Sequence, residues 1–204
     1  MSTADDKFYQ ARITQRRDFA SDLWMIRVQA NGEFKFAPGQ YATLGVQRAE
    51  KRSERPYSIV SSPYESEIEF FFELVPHGEL TPDIYKLQVG DEMLMRKVPK
   101  GRFTLDTRSG RSNHLLVSTV TGIAPFVSYI RTLYKDWKEG RFAGEQKLFL
   151  LNGASRSWEF GYLAELRKFA AEVPGLKYFP TGSRTGADRT GTGEAGGRGD
   201  VNRK

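Results

Sequence analysis

HLLVSTVTGIAPFVSYIRTLYKDWKEG, residues 114–140, decides the architecture of this chain. HLLVSTV is a continuous apolar run of strand length, as in a parallel strand buried on both faces. A glycine turn follows, and from Ile123 the apolar residues recur at helical period, with Pro125 suited to the first helical turn. KLFLLNGAS (147–155) then reads as a strand, EFGYLAELRKFAAEV (159–173) as a helix and LKYFPT (176–181) as a strand. Strand and helix in alternation argue a doubly wound parallel sheet. The turn S-T-V-T-G-I-A-P (118–125) would present backbone N–H groups and a helix dipole to a diphosphate, although an ordinary βα turn has the same grammar.

Upstream the pattern is different. FYQARITQRRDF (8–19), DLWMIRVQA (22–30), FKFAPGQYATLGV (34–46), RPYSIVSS (55–62), EIEFFFELV (67–75), DEMLMRKV (91–98) and GRFTL (101–105) are short strand-like runs separated by Gly, Pro, Asp and Ser. Such spacing predicts an antiparallel barrel or sandwich. One helix interrupts it in LTPDIYKLQVG (80–90), with Thr81 as cap, Pro82 at its first position and Gly90 at its end. KRSE (51–54) reads as a loop. The polar stretch DTRSGRSN (106–113) marks the boundary, giving units of 1–108, 109–181 and a tail of 182–204. The tail holds only Ala187, Ala195 and Val201 as apolar residues, too few to offset its ordering entropy.

Composition narrows the chemistry. With 204 residues, 39% of them hydrophobic and 27% charged, the chain is long enough for one large or two small water-soluble domains. No apolar run approaches bilayer length and the N-terminus carries no signal-like core, so a cytoplasmic location without membrane insertion is expected. The sequence contains no cysteine, which excludes disulfides, thiolate nucleophiles and Cys-ligated clusters. Two histidines, His77 and His114, both read as exposed, make a multi-His metal site or a Ser-His-Asp triad improbable, and no metal is expected. The net charge of +6 fits either plain solubility or a basic face that steers an acidic partner. No nucleic-acid-binding motif accompanies it. Trp24, Trp137 and Trp158 read as packing residues.

R-P-Y-S (55–58) is the first candidate site. On a strand, Arg55, Tyr57 and Ile59 share one face and Pro56, Ser58 and Val60 the other. An aromatic plane beside a planar cation and a small hydroxyl is what a flavin's ring, diphosphate and N5 edge call for. Alone the motif is too short to separate that reading from a surface strand.

Taken in order, P-G-Q-Y (38–41), R-P-Y-S (55–58), F-x-E-L-V-P-H-G-E-L-T (71–81) and V-S-T-V-T-G-I-A-P-F (117–126) resemble the ferredoxin–NADP(+) reductase superfamily, in particular its bacterial ferredoxin/flavodoxin reductases. The resemblance runs from about residue 8 to residue 184. It implies an N-terminal antiparallel FAD-binding β barrel followed by an incomplete, Rossmann-like α/β nucleotide-binding domain. By the same resemblance Tyr57 stacks on the isoalloxazine, Ser58 hydrogen-bonds near N5, and Arg55 beside Pro56 holds the diphosphate. Phe71, in a run that is otherwise core, joins Gly78, Glu79, Leu80 and Thr81 around the rest of the FAD. Thr121 and Gly122 lie where flavin and nicotinamide meet. N-G-A-S-R (152–156) offers Ser155 and Arg156 to NADP, and Ser183 with Arg184 matches a 2′-phosphate pair, chemistry that favours NADP over NAD. A solvated tail charge is the competing reading of Arg184.

One departure stands out: Val120 occupies a position where that family usually has glycine, which predicts a tightened or tilted approach for the pyridine nucleotide. The family's further β/α units, its C-G-N-P-like segment and its terminal aromatic have no counterpart here, so a C-terminally truncated or frame-disturbed sequence is expected. The implied activity is an FAD-dependent transfer of electrons between NADP(H) and an acidic carrier, ferredoxin or flavodoxin. The alternatives are the flavin reductase component of an oxygenase and a truncated FAD-binding module without efficient turnover.

Overall fold

The structure, a computed structural model, describes residues 7–47, 52–105, 110–142 and 146–182. Its first half is a six-stranded antiparallel sheet: β1 (Phe8–Ala20), β2 (Leu23–Ala30), β3 (Tyr41–Gln47), β4 (Arg52–Ser58), β5 (Ile68–Glu73) and β6 (Glu92–Arg96), in the spatial order β4-β3-β6-β1-β2-β5. The chain beyond β4 closes it into a barrel: Ile59 bridges Phe70, and the Val60 N–H donates to the Glu69 carbonyl at 2.9 Å. Pro56 sits opposite Thr43 on β4, an outer strand of the ladder, where a missing N–H costs least. Gly39, at φ 88, supplies the left-handed residue of the Pro-Gly turn that launches β3.

Period-two alternation sorts β2 and β5 onto two cores. Trp24, Ile26 and Val28 with Ile68, Phe70 and Phe72 fill the barrel interior. Leu23, Met25 and Phe71 point outward and join the second half of the molecule. Both faces are therefore apolar there, which is why EFFFELV carries no alternation to read.

The second half is the parallel sheet β7 (Asn113–Thr119), β8 (Lys147–Ala154) and β9 (Leu176–Gly182), in that order, with α2 (Ala124–Lys138) and α3 (Leu163–Glu172) as crossovers. Leu116, Leu148, Leu150 and Leu176 face the helices and share one core with Phe126, Val127, Ile130, Leu166 and Phe169. Leu115, Val117 and Phe179 lie on the other face and are exposed among the described residues.

Several local expectations need correction. GRFTL forms no strand; only Lys100 pairs there, as an isolated bridge to Tyr41. KRSE is in part strand, because Arg52, Ser53 and Glu54 pair with Gln47, Val46 and Gly45. The helix α1 is only Thr81–Lys86, and Thr81 does not cap it. Its hydroxyl is engaged with the Val75 backbone, donating to the carbonyl at 3.3 Å and accepting from the N–H at 3.2 Å. Gly90 ends no helix but turns the chain into β6 at φ 98, its N–H donating to the Ile13 carbonyl at 2.8 Å. His77 is exposed in a turn as expected, whereas His114 lies within β7 with a buried Nε2 that has no hydrogen-bond partner among the described residues.

Candidate functional site

Three stretches far apart in sequence wall one cavity of about 460 Å³. Strand β4 contributes Arg55, Pro56 and Tyr57; β5 and the following loop contribute Phe71, Phe72, Glu73, Val75, Gly78, Glu79, Leu80 and Thr81; and Thr121 arrives from the turn after β7. The volume lies within the usual range of ligand sites.

Tyr57 is half-buried and meets the edge of Phe72 at 4.8 Å, with 61° between the rings. Phe72 in turn stacks on Trp24 at 5.2 Å, so the aromatic wall is anchored in the barrel core. Burial pushes the Tyr57 phenol up to about 12, with Arg55 opposing the shift, and the hydroxyl stays neutral at any physiological pH. Arg55 forms an ion pair with Glu79, joining β4 to the loop before α1, and donates to the Glu54 carbonyl at 2.8 Å. Both members of the pair are about half exposed. Gly78 gives the loop its tightness: a Cβ there would lie 3.0 Å from Thr81 Oγ1 and 3.1 Å from the Val75 carbonyl. Glu73 is held above the ordinary carboxyl range by burial first, then by the like charges of Asp22 and Glu159.

A second cavity, about 420 Å³, opens at the C-terminal ends of the parallel strands between Thr119, Val120, Gly153, Ala154, Ser155, Thr181 and Gly182. Here the sequence's anomaly becomes a structural one. Val120 has φ 40 and is the one non-glycine residue at positive φ among the described residues. A β-branched side chain is strained in that region. Consecutive residues thus face different cavities, Val120 the second and Thr121 the first.

The fold brings Arg55, Pro56, Tyr57, Phe71, Gly78, Glu79, Leu80, Thr81 and Thr121 together, and it does not gather every expected residue. Ser58, paired with Tyr41 one residue on from Tyr57, does not line the first cavity, since pleating turns adjacent side chains to opposite faces. Gly122 is exposed beside it without lining it. Ser155 belongs to the second cavity. Arg156 lines neither: it faces a separate hollow of about 530 Å³ with Phe19, Asp22, Trp158 and Glu159, its guanidinium 5.1 Å from the Trp158 ring. Ser183 and Arg184 lie outside the described residues. Sequence reasoning missed Phe72, Glu73 and Val75 as wall residues; their nearness to Phe71 and Gly78 was the only available signal.

Comparison with known proteins bears on the two-part fold. The family model of the oxidoreductase FAD-binding domain matches residues 10–105 and that of the oxidoreductase NAD-binding domain matches residues 116–204. A ferredoxin–NADP reductase of Pseudomonas aeruginosa is 29% identical over 171 residues, covering 84% of this chain and 63% of its own length. The ferredoxin–NAD(P)(+) reductase component of a naphthalene 1,2-dioxygenase system from Pseudomonas putida is 32% identical over 160 residues, 76% of this chain and 44% of that protein. The chain therefore spans less than two thirds of the length of these relatives. In structure, the Neisseria gonorrhoeae ferredoxin NADP+ reductase, solved with bound FAD and NADP, superimposes with a TM-score of 0.73 at 23% identity, over 88% of this chain and 70% of that one. A barrel and a parallel α/β unit in this order, each matched by its own family model, place the chain in the ferredoxin–NADP(+) reductase superfamily, to which it belongs.

Proposed function

We propose that this chain works as an FAD-dependent oxidoreductase that passes electrons between NADP(H) and a small one-electron carrier of the ferredoxin or flavodoxin class. The observation that carries the reading is the 460 Å³ cavity, in which barrel residues and Thr121 of the α/β unit share one wall. The residues present fit a flavin nucleotide. Tyr57 offers a ring held in place by Phe72, Arg55 offers a guanidinium suited to a diphosphate, and the Gly78–Thr81 loop, too tight at Gly78 for a Cβ, lines the same cavity.

When bound, the flavin supplies the step the side chains cannot: it accepts a hydride as an electron pair and releases electrons singly. The protein's part is position and electrostatics. Tyr57 would cover the ring system and keep water from it. Arg55 would hold the diphosphate in place of Glu79, at little expense because an exposed ion pair contributes only ~0–1 kcal/mol. Thr121 borders the cavity from the side of the nucleotide turn, beside the second cavity, where Ser155 would meet the pyridine nucleotide. The basic net charge of +6 suits an acidic carrier. NADP as the nucleotide rests on the S-R pair at 183–184 and on what the Pseudomonas aeruginosa and Neisseria relatives are named for.

The likeness to the dioxygenase reductase component favours a second reading, delivery of electrons to an oxygenase system. An acceptor assay with ferredoxin, flavodoxin and an oxygenase ferredoxin separates the two. The first test is simpler: the purified protein is expected to be yellow, or to turn so with added FAD, and to bleach on anaerobic NADPH. A protein that stays colourless with excess FAD would overturn the proposal, and a yellow one that NADPH cannot bleach would reduce it to flavin binding.

A further inference from the structure

Glu69 stands on the outer face of β5, between Ile68 and Phe70 of the barrel interior, and is 1% exposed. Its carboxylate accepts from three side chains on three other parts of the fold. Arg27 of β2 donates at 2.9 Å; Arg131 of α2 donates through both terminal nitrogens, at 3.1 and 3.2 Å; and the Tyr162 hydroxyl, one residue before α3, donates at 2.8 Å. Arg131 is itself 10% exposed and also grips Glu165 of α3 at 2.7 and 3.0 Å. Nothing in the reading of the two cavities uses this cluster.

We propose that Glu69 is a positioning residue: by holding Arg131 and Tyr162 it sets where α2, and with it Thr121, meets the flavin cavity. The inference rests on the proposed function for its consequence, though not for its geometry. A carboxylate this deep must be repaid by its partners for lost hydration, and apolar residues of equal volume would hold the interface at least as well. What charged, directional partners add is register. The same face of α2 carries that register on: the Ser128 hydroxyl donates to the Ser61 carbonyl at 2.7 Å, and the Thr132 hydroxyl, which donates to the Ser128 carbonyl, accepts from the Ser62 hydroxyl at 2.9 Å. These residues lie at i, i+3 and i+4 with Arg131, so one helix face is fixed to the 61–69 segment. Helix α2 begins three residues after Thr121, and a helix moves as a rod of ~1.5 Å per residue. A slip at Arg131 therefore appears at Thr121 nearly undiminished, and misplacements of ~1 Å have cost enzymes about 100-fold in rate.

The test uses the full chain loaded with FAD. Glu69→Gln is expected to keep its flavin stoichiometry but to lower the rate of flavin reduction at saturating NADPH at least tenfold, with half-saturation changed less than twofold. Tyr162→Phe, which removes a single hydroxyl, moves the same rate in the same direction by less, and decides the matter if Glu69→Gln does not fold. Tyr9→Phe, which loses an exposed bond to the Glu33 carbonyl and touches neither α2 nor the 61–69 segment, serves as the control and stays at the wild-type rate. In FAD-free protein, Glu69→Gln should also raise amide hydrogen exchange in 61–69 and 124–132 above exchange elsewhere in the barrel. An unchanged reduction rate, or a rate lost only in proportion to lost flavin, overturns the positioning role. If the wild-type chain binds no FAD, the proposed function fails instead, and the exchange experiment still decides whether Glu69 holds the junction.

Discussion

Val120 shows how one residue couples backbone strain to a site. At φ 40 it sits in the region that glycine enters freely and other L-residues enter at ~1–2 kcal/mol. At ordinary positions alanine is more stable than glycine by about 0.5–1 kcal/mol. The order should reverse here: Val120→Gly is expected to be more stable than Val120→Ala by about 1 kcal/mol, read as urea midpoints at equal slope. Alanine equal to or better than glycine would show the turn to be unstrained. The valine was legible in the sequence as a departure from a glycine pattern, yet its positive φ was not, because φ is set by how β7 is tied to α2. Tyr57 is the complementary case, its ring presented by pleating and backed by Phe72. Tyr57→Ala should weaken FAD binding about tenfold or more in a fluorescence titration, the ~1.4 kcal/mol expected for a lost aromatic stack together with its burial. Unchanged affinity would remove Tyr57 from the site.

Among elements, α2 carries the greatest load. Its first half, Ala124–Ile130, is buried all round, against the parallel sheet on one side and the barrel exterior on the other. Ile130 is fully buried, so Ile130→Ala should cost about 2–5 kcal/mol, seen as a lower midpoint in chemical denaturation. The helix was readable because apolar period, Pro125 and the preceding glycine agree. Short elements were less so. GRFTL has strand-like composition but finds no ladder, and Arg52–Glu54 has loop-like composition but pairs with β3, since register is settled by the neighbouring strand. The helix α1 is shorter than its sequence suggested because the Thr81 hydroxyl serves the 75–81 loop instead of the helix end.

At the scale of the molecule, four tyrosines, Tyr129 and Tyr162 buried and Tyr57 and Tyr178 half-buried, tie stability to alkaline pH. Burial raises Tyr57 and Tyr129 to about 12, raises Tyr178, and raises Tyr162 well above the ordinary phenol value, with Glu69 adding to the last. A raised folded-state value means that the unfolded chain releases protons first, near pH 10. Stability is thus fully present below about pH 10 and falls as pH rises toward 12, which denaturation at pH 9, 10 and 11 will show as a progressive drop. Stability independent of pH across that window would contradict the burial of these phenols. What the sequence determined by itself was the kind of structure at each place: short alternating strands before residue 106 and a strand–turn–helix grammar after 113; Arg55, Tyr57, Gly78–Thr81 and Thr121 were singled out by the family resemblance of their motifs. These are legible because period, turn chemistry and helix punctuation are local properties of the chain. Tertiary structure alone decided which faces meet. Phe70 and Phe72 are adjacent to Phe71 in sequence but belong to a different core. Ser58 leaves the cavity that Tyr57 lines, and Glu69, an ordinary acidic residue in the sequence, ends between Arg27, Arg131 and Tyr162. The physical reason is that a side chain's surroundings depend on partners tens of residues away, and only closing the barrel and docking α2 on it brings those partners within reach.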